Sequence, residues 1–309
     1  MQAPQLSVGR AGPGLAFAIA AYGLWGLLPI FFVLLAPAGA FEIVAWRILL
    51  SLVFCALLLT VTRGWPGFVR IIRDRRTVLI MGLAGFFILI NWLVYVFAAL
   101  NGHVVEAALG YFTNPIVTVL LGVFVLRERL RPLQWISIGI SALAVLVLAI
   151  NYGSFPFIAL TLAVSFGLYG LIKKQVGGRV DAVSGLTIET AWLAPLAIAQ
   201  LIGMAVTTGL TLGTVDTMHT VLLLSAGVVT AVPLLLFAAA ARRVPLTILG
   251  LAQYIAPILQ FLIGVFYFHE EMPAARWVGF GLVWVALIVL TIDIFLRAGP
   301  SRRASAEAV

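Results

Sequence analysis

The sequence predicts an all-α polytopic membrane protein with ten transmembrane helices, arranged as two inverted five-helix repeats. Of its 309 residues, 63% are apolar and only 10% are charged, whereas a soluble domain carries about 25% charged residues. Apolar runs of about 20 residues, each long enough to cross a hydrocarbon core of about 30 Å, fill most of the chain. One long stretch of sequence also occurs twice. These features exclude a water-soluble globule.

Ten apolar segments account for the predicted helices, because a lone span in lipid must satisfy its own backbone hydrogen bonds. They are 13–35, 41–62, 77–98, 104–126, 132–150, 155–173, 182–207, 217–240, 246–268 and 274–296. The first five form a predicted repeat over 13–150, and the last five form a second one over 155–297. Residues 1–12 form an N-terminal tail, and the small, polar stretch 298–309 is predicted to be a disordered C-terminal tail.

The distribution of basic residues predicts the orientation. If the N-terminus lies in the cytoplasm, all but two of the 19 Lys and Arg residues fall in cytoplasmic loops or tails. The two exceptions are Arg276, which falls on the outer side, and Arg47, inside a span. Such an excess is the positive-inside pattern. It predicts a multi-pass protein of the plasma membrane with both termini in the cytoplasm.

The duplicated stretch supports the inverted arrangement. Residues 107–139 return 142 positions later as residues 249–281. Pro115 corresponds to Pro257 and Glu128 to Glu270, and each acid stands in the polar turn that ends its segment. The first turn is basic, RERLR, whereas the second reads HEEMP. Loss of the basic flanks is expected if the second copy enters the membrane from the opposite side.

Charge and cysteine content argue against several other classes of protein. The net charge of +8 comes from short basic clusters between apolar runs, a pattern that indicates topology and not a nucleic-acid-binding face. The single cysteine, Cys55, leaves no intrachain disulfide and no expected thiol metal site. We predict no metal, no other cofactor and no nucleic-acid partner. The predicted partners are the lipid bilayer, a small-molecule substrate and, as a candidate coupling ion, the proton.

Several motifs resemble one transporter family. They are Asn91-Trp92, EAALGYFTNP at 106–115, SFGLYGL at 165–171, IETAW at 188–192 and VPL at 232–234. Together with the ten-segment pattern, they are similar to the RarD group of the EamA family, in the drug/metabolite transporter superfamily. The resemblance implies a central cavity lined mainly by the first, third, fourth, sixth, eighth and ninth helices. It also implies that the cargo is a small organic molecule: an amino acid, another metabolite or an amphipathic drug.

Polar residues inside apolar segments are the candidate substrate-binding residues, since such groups are costly in lipid and usually face the bundle interior. With their aromatic neighbours, they are Arg47, Asn91, Trp92, Tyr111, Asn114, Tyr169, Glu189, Gln253 and Tyr254. Arg47 would attract a carboxylate-bearing substrate, or alternatively would pair with Glu106 or Glu42, because buried charges are usually paired.

Glu189 has two interpretations. A carboxylate buried about 10 Å from the inner boundary is a candidate proton-coupling group, because proton-coupled sites use desolvated carboxylates. The alternative is a structural carboxylate that is hydrogen-bonded to neighbouring helices or paired with Lys173 or Lys174.

A second set of residues is predicted to act in gating or as hinges: Glu106, Pro115, Pro257, Glu128 and Glu270. The prolines free backbone carbonyls within their spans, as in the broken helices of transporters, although a packing kink explains them equally well. Glu106 is either a gate or a cap of its own helix N-terminus. Glu128 and Glu270 are predicted to latch the two mouths of the cavity.

The sequence therefore favours a secondary transporter and not an enzyme. No Walker motif is present, so ATP hydrolysis is not expected to drive transport, and alternating access with export is the predicted mechanism. A membrane-embedded lipid-modifying enzyme is one alternative, but the three histidines are scattered and form no acid–base or metal motif. A scaffold that moves nothing is the other.

Overall fold

The part of the chain that the structure describes folds into helices joined by turns and loops. A computed structural model covers residues 11–126, 132–152, 155–176, 179–241, 243–244 and 252–298. Its helices are α1 (Ala11–Val33), α2 (Ala40–Val61), α3 (Trp65–Ile72), α4 (Arg75–Leu100), α5 (Val104–Leu126), α6 (Pro132–Tyr152), α7 (Phe157–Val176), α8 (Ala182–Thr207), α9 (Thr217–Ala241), α10 (Ile255–Leu262) and α11 (Ala274–Ala298). A π-helical turn, Ile263–Tyr267, follows α10.

Helix length and hydropathy confirm a multi-pass membrane protein. Seven of the described helices are long and apolar enough to cross a membrane: α1, α2, α4, α5, α8, α9 and α11. Three shorter apolar stretches, at Pro132–Leu148, Phe157–Lys173 and Ile255–Tyr267, lie in the remaining predicted spans. Local signals explain some of the boundaries. Asp181, for example, caps α8 by accepting hydrogen bonds from the backbone N–H groups of Val183 and Ser184 at 3.1 and 3.0 Å.

One helix was not predicted. Residues 65–72 fall between two apolar segments, yet the structure folds them into the short helix α3. Pro66 occupies its first turn, where a missing N–H breaks no intrahelical hydrogen bond. A search for spans of about 20 residues cannot find an eight-residue helix flanked by arginines.

The predicted helix 246–268 differs from the structure in its described part. Ala252 is helical, Gln253 and Tyr254 form a turn, and α10 runs from Ile255 into the π-helical turn. Pro257 is therefore in the first turn of a helix and not at mid-helix. A proline there interrupts no hydrogen bond, and the break that the structure shows is the turn at Gln253 and Tyr254, before Pro257. Residues 245–251 lie outside the described residues.

The helices pack into one bundle with α6 and α11 at its side. α2 packs against α8 and α9, α7 packs against α4 and α5, and α1 packs against α9 and α10. The largest apolar cluster is built from residues of α1, α2, α4, α5, α7, α8 and α9. α6 packs mainly on α11, where the Ser137 hydroxyl donates to the Ala286 carbonyl at 3.0 Å. Arg47 of α2 and Glu189 of α8 both lie inside the bundle.

Candidate functional site

Arg47 is buried at the centre of the largest apolar cluster, with only 4% of its surface exposed. Its Nε donates a 2.7 Å hydrogen bond to the hydroxyl of Thr230 in α9. The guanidinium carbon lies 4.3 Å from the ring centre of Trp92 and 5.4 Å from that of Phe32, within range for cation–π attraction. Its Nη1 is buried and has no hydrogen-bond partner in the described part of the chain.

The two carboxylates considered as partners of Arg47 are engaged elsewhere. Glu42, which is 1% exposed, accepts a 2.8 Å hydrogen bond from the backbone N–H of Thr211. Glu106 accepts from backbone groups at the start of α7. Over the residues that the structure describes, Arg47 forms no ion pair. The pairing alternative is therefore not what the structure shows. In the described part of the chain, the guanidinium contacts the Thr230 hydroxyl and the rings of Trp92 and Phe32.

A polar network beside Arg47 joins three helices. The hydroxyl of Tyr111 in α5 donates to Oδ1 of Asn91 in α4 at 2.9 Å. The Asn91 amide in turn donates to the Leu162 carbonyl and the Ser165 hydroxyl of α7, each at 3.2 Å. Asn91 is 2% exposed, so a fully bonded amide here fixes the relative positions of α4, α5 and α7.

Tyr95 belongs to the same cluster and was not among the predicted residues. Its ring makes an edge-to-face contact with Tyr111 at 5.5 Å and another with Phe32 at 5.9 Å. Asn91, Trp92 and Tyr95 follow the i, i+1, i+4 spacing of one helix face, which is the signal that would have found it. Thr230 carried no such signal, because a threonine in an apolar helix usually bonds only its own backbone.

Glu189 forms a separate polar centre between α7 and α8. Its carboxylate lies 2.8 Å from Nζ of Lys173 and accepts a 3.4 Å hydrogen bond from the Tyr169 hydroxyl. The side chain of Glu189 is 2% exposed, whereas that of Lys173 is 28% exposed. Among the described residues, no hydrogen bond or ion pair joins this centre to Arg47. Ring contacts from Tyr169 to Phe166 and from Phe166 to Tyr111 connect the two groups indirectly. The structure thus provides the pairing with Lys173, and the side chain of Lys174 lies outside the described residues.

Glu270 connects the end of the π-helical turn to α5. Its two carboxylate oxygens accept hydrogen bonds from the backbone N–H groups of Val104 and Val105, at 2.6 and 3.0 Å. These N–H groups begin α5 and have no partner within that helix. A carboxylate at this position also complements the positive end of the helix dipole. Its repeat counterpart, Glu128, lies outside the described residues.

Glu106, like Glu270, accepts hydrogen bonds at the start of a helix. That helix is α7, whereas the predicted cap was on α5, the helix that contains Glu106. Its Oε1 accepts from the backbone N–H groups of Ile158 and Ala159, at 3.1 and 3.5 Å. Those groups start α7, so Glu106 bridges α5 to α7 in addition to standing in the first turn of its own helix. Its other oxygen lies 4.0 Å from Nδ1 of His103. Three carboxylates, those of Glu42, Glu106 and Glu270, therefore hold one end of the bundle.

The remaining candidates occupy different environments. Asn114 precedes Pro115 within α5, and its buried Oδ1 has no partner among the described residues, lying opposite Gly167 of α7. Gln253 lies in the turn before α10. Tyr254 packs in a second apolar cluster with α5 and α11, away from Arg47. The structure therefore groups Arg47, Asn91, Trp92 and Tyr111 and leaves Tyr254 outside that group.

Comparison with known proteins places the chain in a family. The model of the EamA-like transporter family matches residues 12–150. The chain is 47% identical to Protein RarD of Streptomyces exfoliatus, covering 96% of this chain and 93% of that protein. It is 39% identical to Protein RarD of Escherichia coli K12, over 91% and 94% of the two chains. An uncharacterized transporter of Bacillus subtilis is 40% identical, again over 91% and 94%.

A solved structure supports the fold alone. A crystal structure of a protein with 20% sequence identity superposes with a TM-score of 0.57, covering 90% of this chain and 97% of that one. The arrangement of helices is thus shared with a solved protein. The assignment to a family is based on the sequence relatives, which align with nearly the whole chain. The chain belongs to the EamA family as a RarD-like membrane transporter with a small-molecule substrate.

Proposed function

We propose that this transporter exports a small organic molecule that carries a carboxylate, by alternating access and without ATP hydrolysis. Amino acids, other carboxylate metabolites and amphipathic drugs with an acidic group fit this description. The substrate would bind between the halves of the bundle, with its carboxylate at Arg47 and its apolar part against Trp92 and Tyr111. Asn91, which bonds to Tyr111, would hold the aromatic wall in place.

The observation that carries this proposal is the isolation of the Arg47 charge. A charged group at the centre of a membrane helix costs about 2.5–3.5 kcal/mol on insertion scales, and buried charges are normally paired. Arg47 has a buried Nη1 without a partner in the described chain, and Glu42 and Glu106, the two acids predicted as alternative partners, bond to backbone amides. A substrate carboxylate would supply the missing negative charge and the missing acceptor in one group.

The helix contacts support two inverted halves and ten spans. Exchanging the predicted repeats pairs α1 with α7, α2 with α8, α4 with α9, α5 with α10 and α6 with α11. Under this exchange the contacts of α5 with α7, α4 with α7 and α2 with α9 become those of α10 with α1, α9 with α1 and α8 with α4, all of which occur. The contacts α2–α8, α5–α10 and α6–α11 map onto themselves. This agreement supports halves at 13–150 and 155–297.

Gating in this proposal uses the carboxylates that hold one end of the bundle. With cytoplasmic termini in the plasma membrane, the starts of α5 and α7 and the end of the π-helical turn face outward. Glu270 and Glu106 would then keep the outer mouth closed, and opening would break their bonds to the amides of α5 and α7. Pro115, and the break before Pro257, would allow the helices to bend. Glu128 keeps its predicted role as the inner latch.

Glu189 is the proposed coupling group. Its contacts with Lys173 and Tyr169 form a buried acid that a proton can neutralise, with a basic partner that can reach water. Proton entry would release Lys173 and loosen α7 from α8. Proton exchange for substrate is thus the proposed driving force.

Transport itself is tested in sealed proteoliposomes. Metabolite concentrations are first compared inside and outside cells, with and without the gene, to find carboxylates whose distribution changes. Purified protein in the vesicles is then tested for uptake of the best of these carboxylates. Uptake that stops with Arg47→Gln and continues with Arg276→Gln, a change in the first turn of α11, supports the proposal. Binding without any flux would favour a scaffold, and conversion of the compound to a new product would favour an enzyme.

A further inference from the structure

The short helix α3 lies across one end of the bundle. It follows α2, precedes α4 and packs on α4. Phe68 and Ile71 contact an apolar cluster formed by Met81 of α4, Val176 at the end of α7 and Ile188 of α8. α2 has 22 residues and α4 has 26, more than the roughly 20 needed to cross the hydrocarbon core. α3 therefore lies at the level of the lipid headgroups.

α3 has an apolar face that the bundle covers only in part. Trp65, Phe68, Val69 and Ile72 follow the i, i+3, i+4, i+7 spacing of one helix face. Phe68 is partly buried against the bundle, whereas Trp65, Val69 and Ile72 are 39%, 37% and 41% exposed. No residue of α3 is fully buried. Aromatic and aliphatic residues exposed at headgroup depth are suited to the interface between acyl chains and headgroups.

The rest of α3 and its flanks are basic. Five exposed arginines surround the helix: Arg63, Arg70, Arg73, Arg75 and Arg76. Within the described ranges, none of them forms an ion pair. The one acid between them, Asp74, is occupied as the cap of α4, where it accepts from the Thr77 hydroxyl at 2.6 Å and the Arg76 backbone N–H at 3.1 Å. Five positive charges thus border a helix with an exposed apolar face.

We infer that α3 is an interfacial helix that binds anionic phospholipid, with phosphate groups held by the arginines and acyl chains in contact with Trp65, Val69 and Ile72. An amphipathic helix with basic residues binds anionic membranes through both apolar burial and electrostatic attraction. Each Lys or Arg near an anionic surface contributes about 1 kcal/mol, equivalent to about fivefold in binding. The leaflet that surrounds α2 and α4 would also contact this helix, so the lipid would need no separate docking step.

The inference is independent of the substrate and is tested by tryptophan quenching. The full-length protein is placed in nanodiscs of phosphatidylcholine that contain a fixed fraction of phosphatidylglycerol, and bromine is carried either by the phosphatidylglycerol or by an equal amount of the phosphatidylcholine. The signal of Trp65 is the difference between wild type and Trp65→Phe. Stronger quenching by brominated phosphatidylglycerol is expected, together with a fall of that preference when salt is raised from about 0.05 to about 0.5 M, as ionic screening requires.

Two double variants with the same net charge separate the effect of the α3 arginines from the effect of net charge. Arg70→Gln with Arg73→Gln should reduce the preference about fivefold or more, whereas Arg302→Gln with Arg303→Gln in the C-terminal tail should leave it unchanged. Equal quenching by the two brominated lipids in wild type would overturn the inference, as would a preference that ignores salt. An equal loss in both double variants would overturn it as well, because net charge alone would then attract the lipid. The salt comparison needs only wild type and Trp65→Phe, so it stands even if an arginine variant fails to fold.

Discussion

Glu270 accepts a 2.6 Å hydrogen bond from the backbone N–H of Val104, across 166 positions of sequence. The second carboxylate oxygen accepts from Val105 at 3.0 Å, so one side chain closes two open donors at the start of α5. Hydrogen bonds to a charged group contribute about 1.5–3 kcal/mol each. These two hydrogen bonds are therefore strong enough to favour a state in which this end of the bundle is closed over one in which it is open.

Glu270→Gln should weaken this closure, because the amide has no charge and only one acceptor oxygen. We expect the amides of Val104 and Val105 to exchange with deuterium at least about tenfold faster, and net transport to slow. Hydrogen exchange of a peptide that begins α5 measures the first effect. Glu271→Gln, a change at the exposed neighbouring residue, is the matched control. Unchanged protection in Glu270→Gln would remove this residue from the gate.

The Lys173–Glu189 pair should respond unequally to loss of its two members. Lys173→Met leaves the buried carboxylate of Glu189 without its cation, whereas Glu189→Gln leaves a lysine that can reach water. We expect Lys173→Met to lower stability by about 1–3 kcal/mol and Glu189→Gln to lower it less. The double variant should recover part of the loss. Thermal unfolding of the three proteins in one detergent measures this order, and equal losses would argue against a desolvated carboxylate.

Substitution of Glu189 also tests proton coupling. If Glu189 carries the coupled proton, uptake by Glu189→Gln should no longer depend on the pH gradient, while wild type remains dependent on it. Uptake in proteoliposomes with and without an imposed gradient measures the difference. A variant whose uptake still follows the gradient would leave Glu189 with the structural role only.

Asp74 should make the start of α4 sensitive to acid. The hydroxyl of Thr77, followed by the backbone N–H groups of Thr77 and Arg76, holds the pKa of this carboxyl below its ordinary value of 3.8. A lowered folded-state pKa stabilises the cap above the ordinary value, and that stabilisation is lost as the pH falls through the folded-state pKa. The hydrogen-exchange protection factors in the first turn of α4, which are corrected for the intrinsic pH dependence of exchange, should therefore fall at acid pH, and Asp74→Asn should show less of this fall. An identical acid response in the variant would contradict the cap.

Pro115 and Pro257 should differ in their effects on transport. Pro115 lies inside α5, where alanine would restore a backbone hydrogen bond, whereas Pro257 lies in the first turn of α10, where alanine restores none. We expect Pro115→Ala to slow turnover severalfold with little change in substrate binding, and Pro257→Ala to have a smaller effect. Maximal rate and half-saturation concentration of uptake separate the two. Equal loss of rate and binding in Pro115→Ala would indicate misfolding.

Long apolar helices were predictable from local patterns. The segments 104–126 and 182–207 agree with α5 and α8 at both ends, because polar turns and caps such as Asp181 flank continuous apolar runs. Arg47 and Glu189 were also predictable as buried residues, because each is a charged residue in an otherwise apolar segment. Both are buried in the bundle.

The partners of these residues were less predictable. Thr230 lies 183 positions from Arg47, and Val104 lies 166 positions from Glu270, so only the packing of the helices brings them together. Glu106 was considered as a cap of its own helix, but its carboxylate also bonds the start of α7, which no spacing in the sequence indicates. α3 is not predictable by a search for membrane spans because the helix is only eight residues long.

The role of Arg47 is measured by comparing uptake of one carboxylate substrate with uptake of its neutral amide. Wild type should transport the acid about tenfold to hundredfold better, the range expected from a charge-assisted hydrogen bond of about 1.5–3 kcal/mol. Arg47→Gln should transport the acid poorly and no longer distinguish the two compounds, while Arg276→Gln should behave as wild type. If Arg47→Gln discriminates between acid and amide as strongly as wild type does, the carboxylate does not bind at Arg47 and the proposed site is wrong.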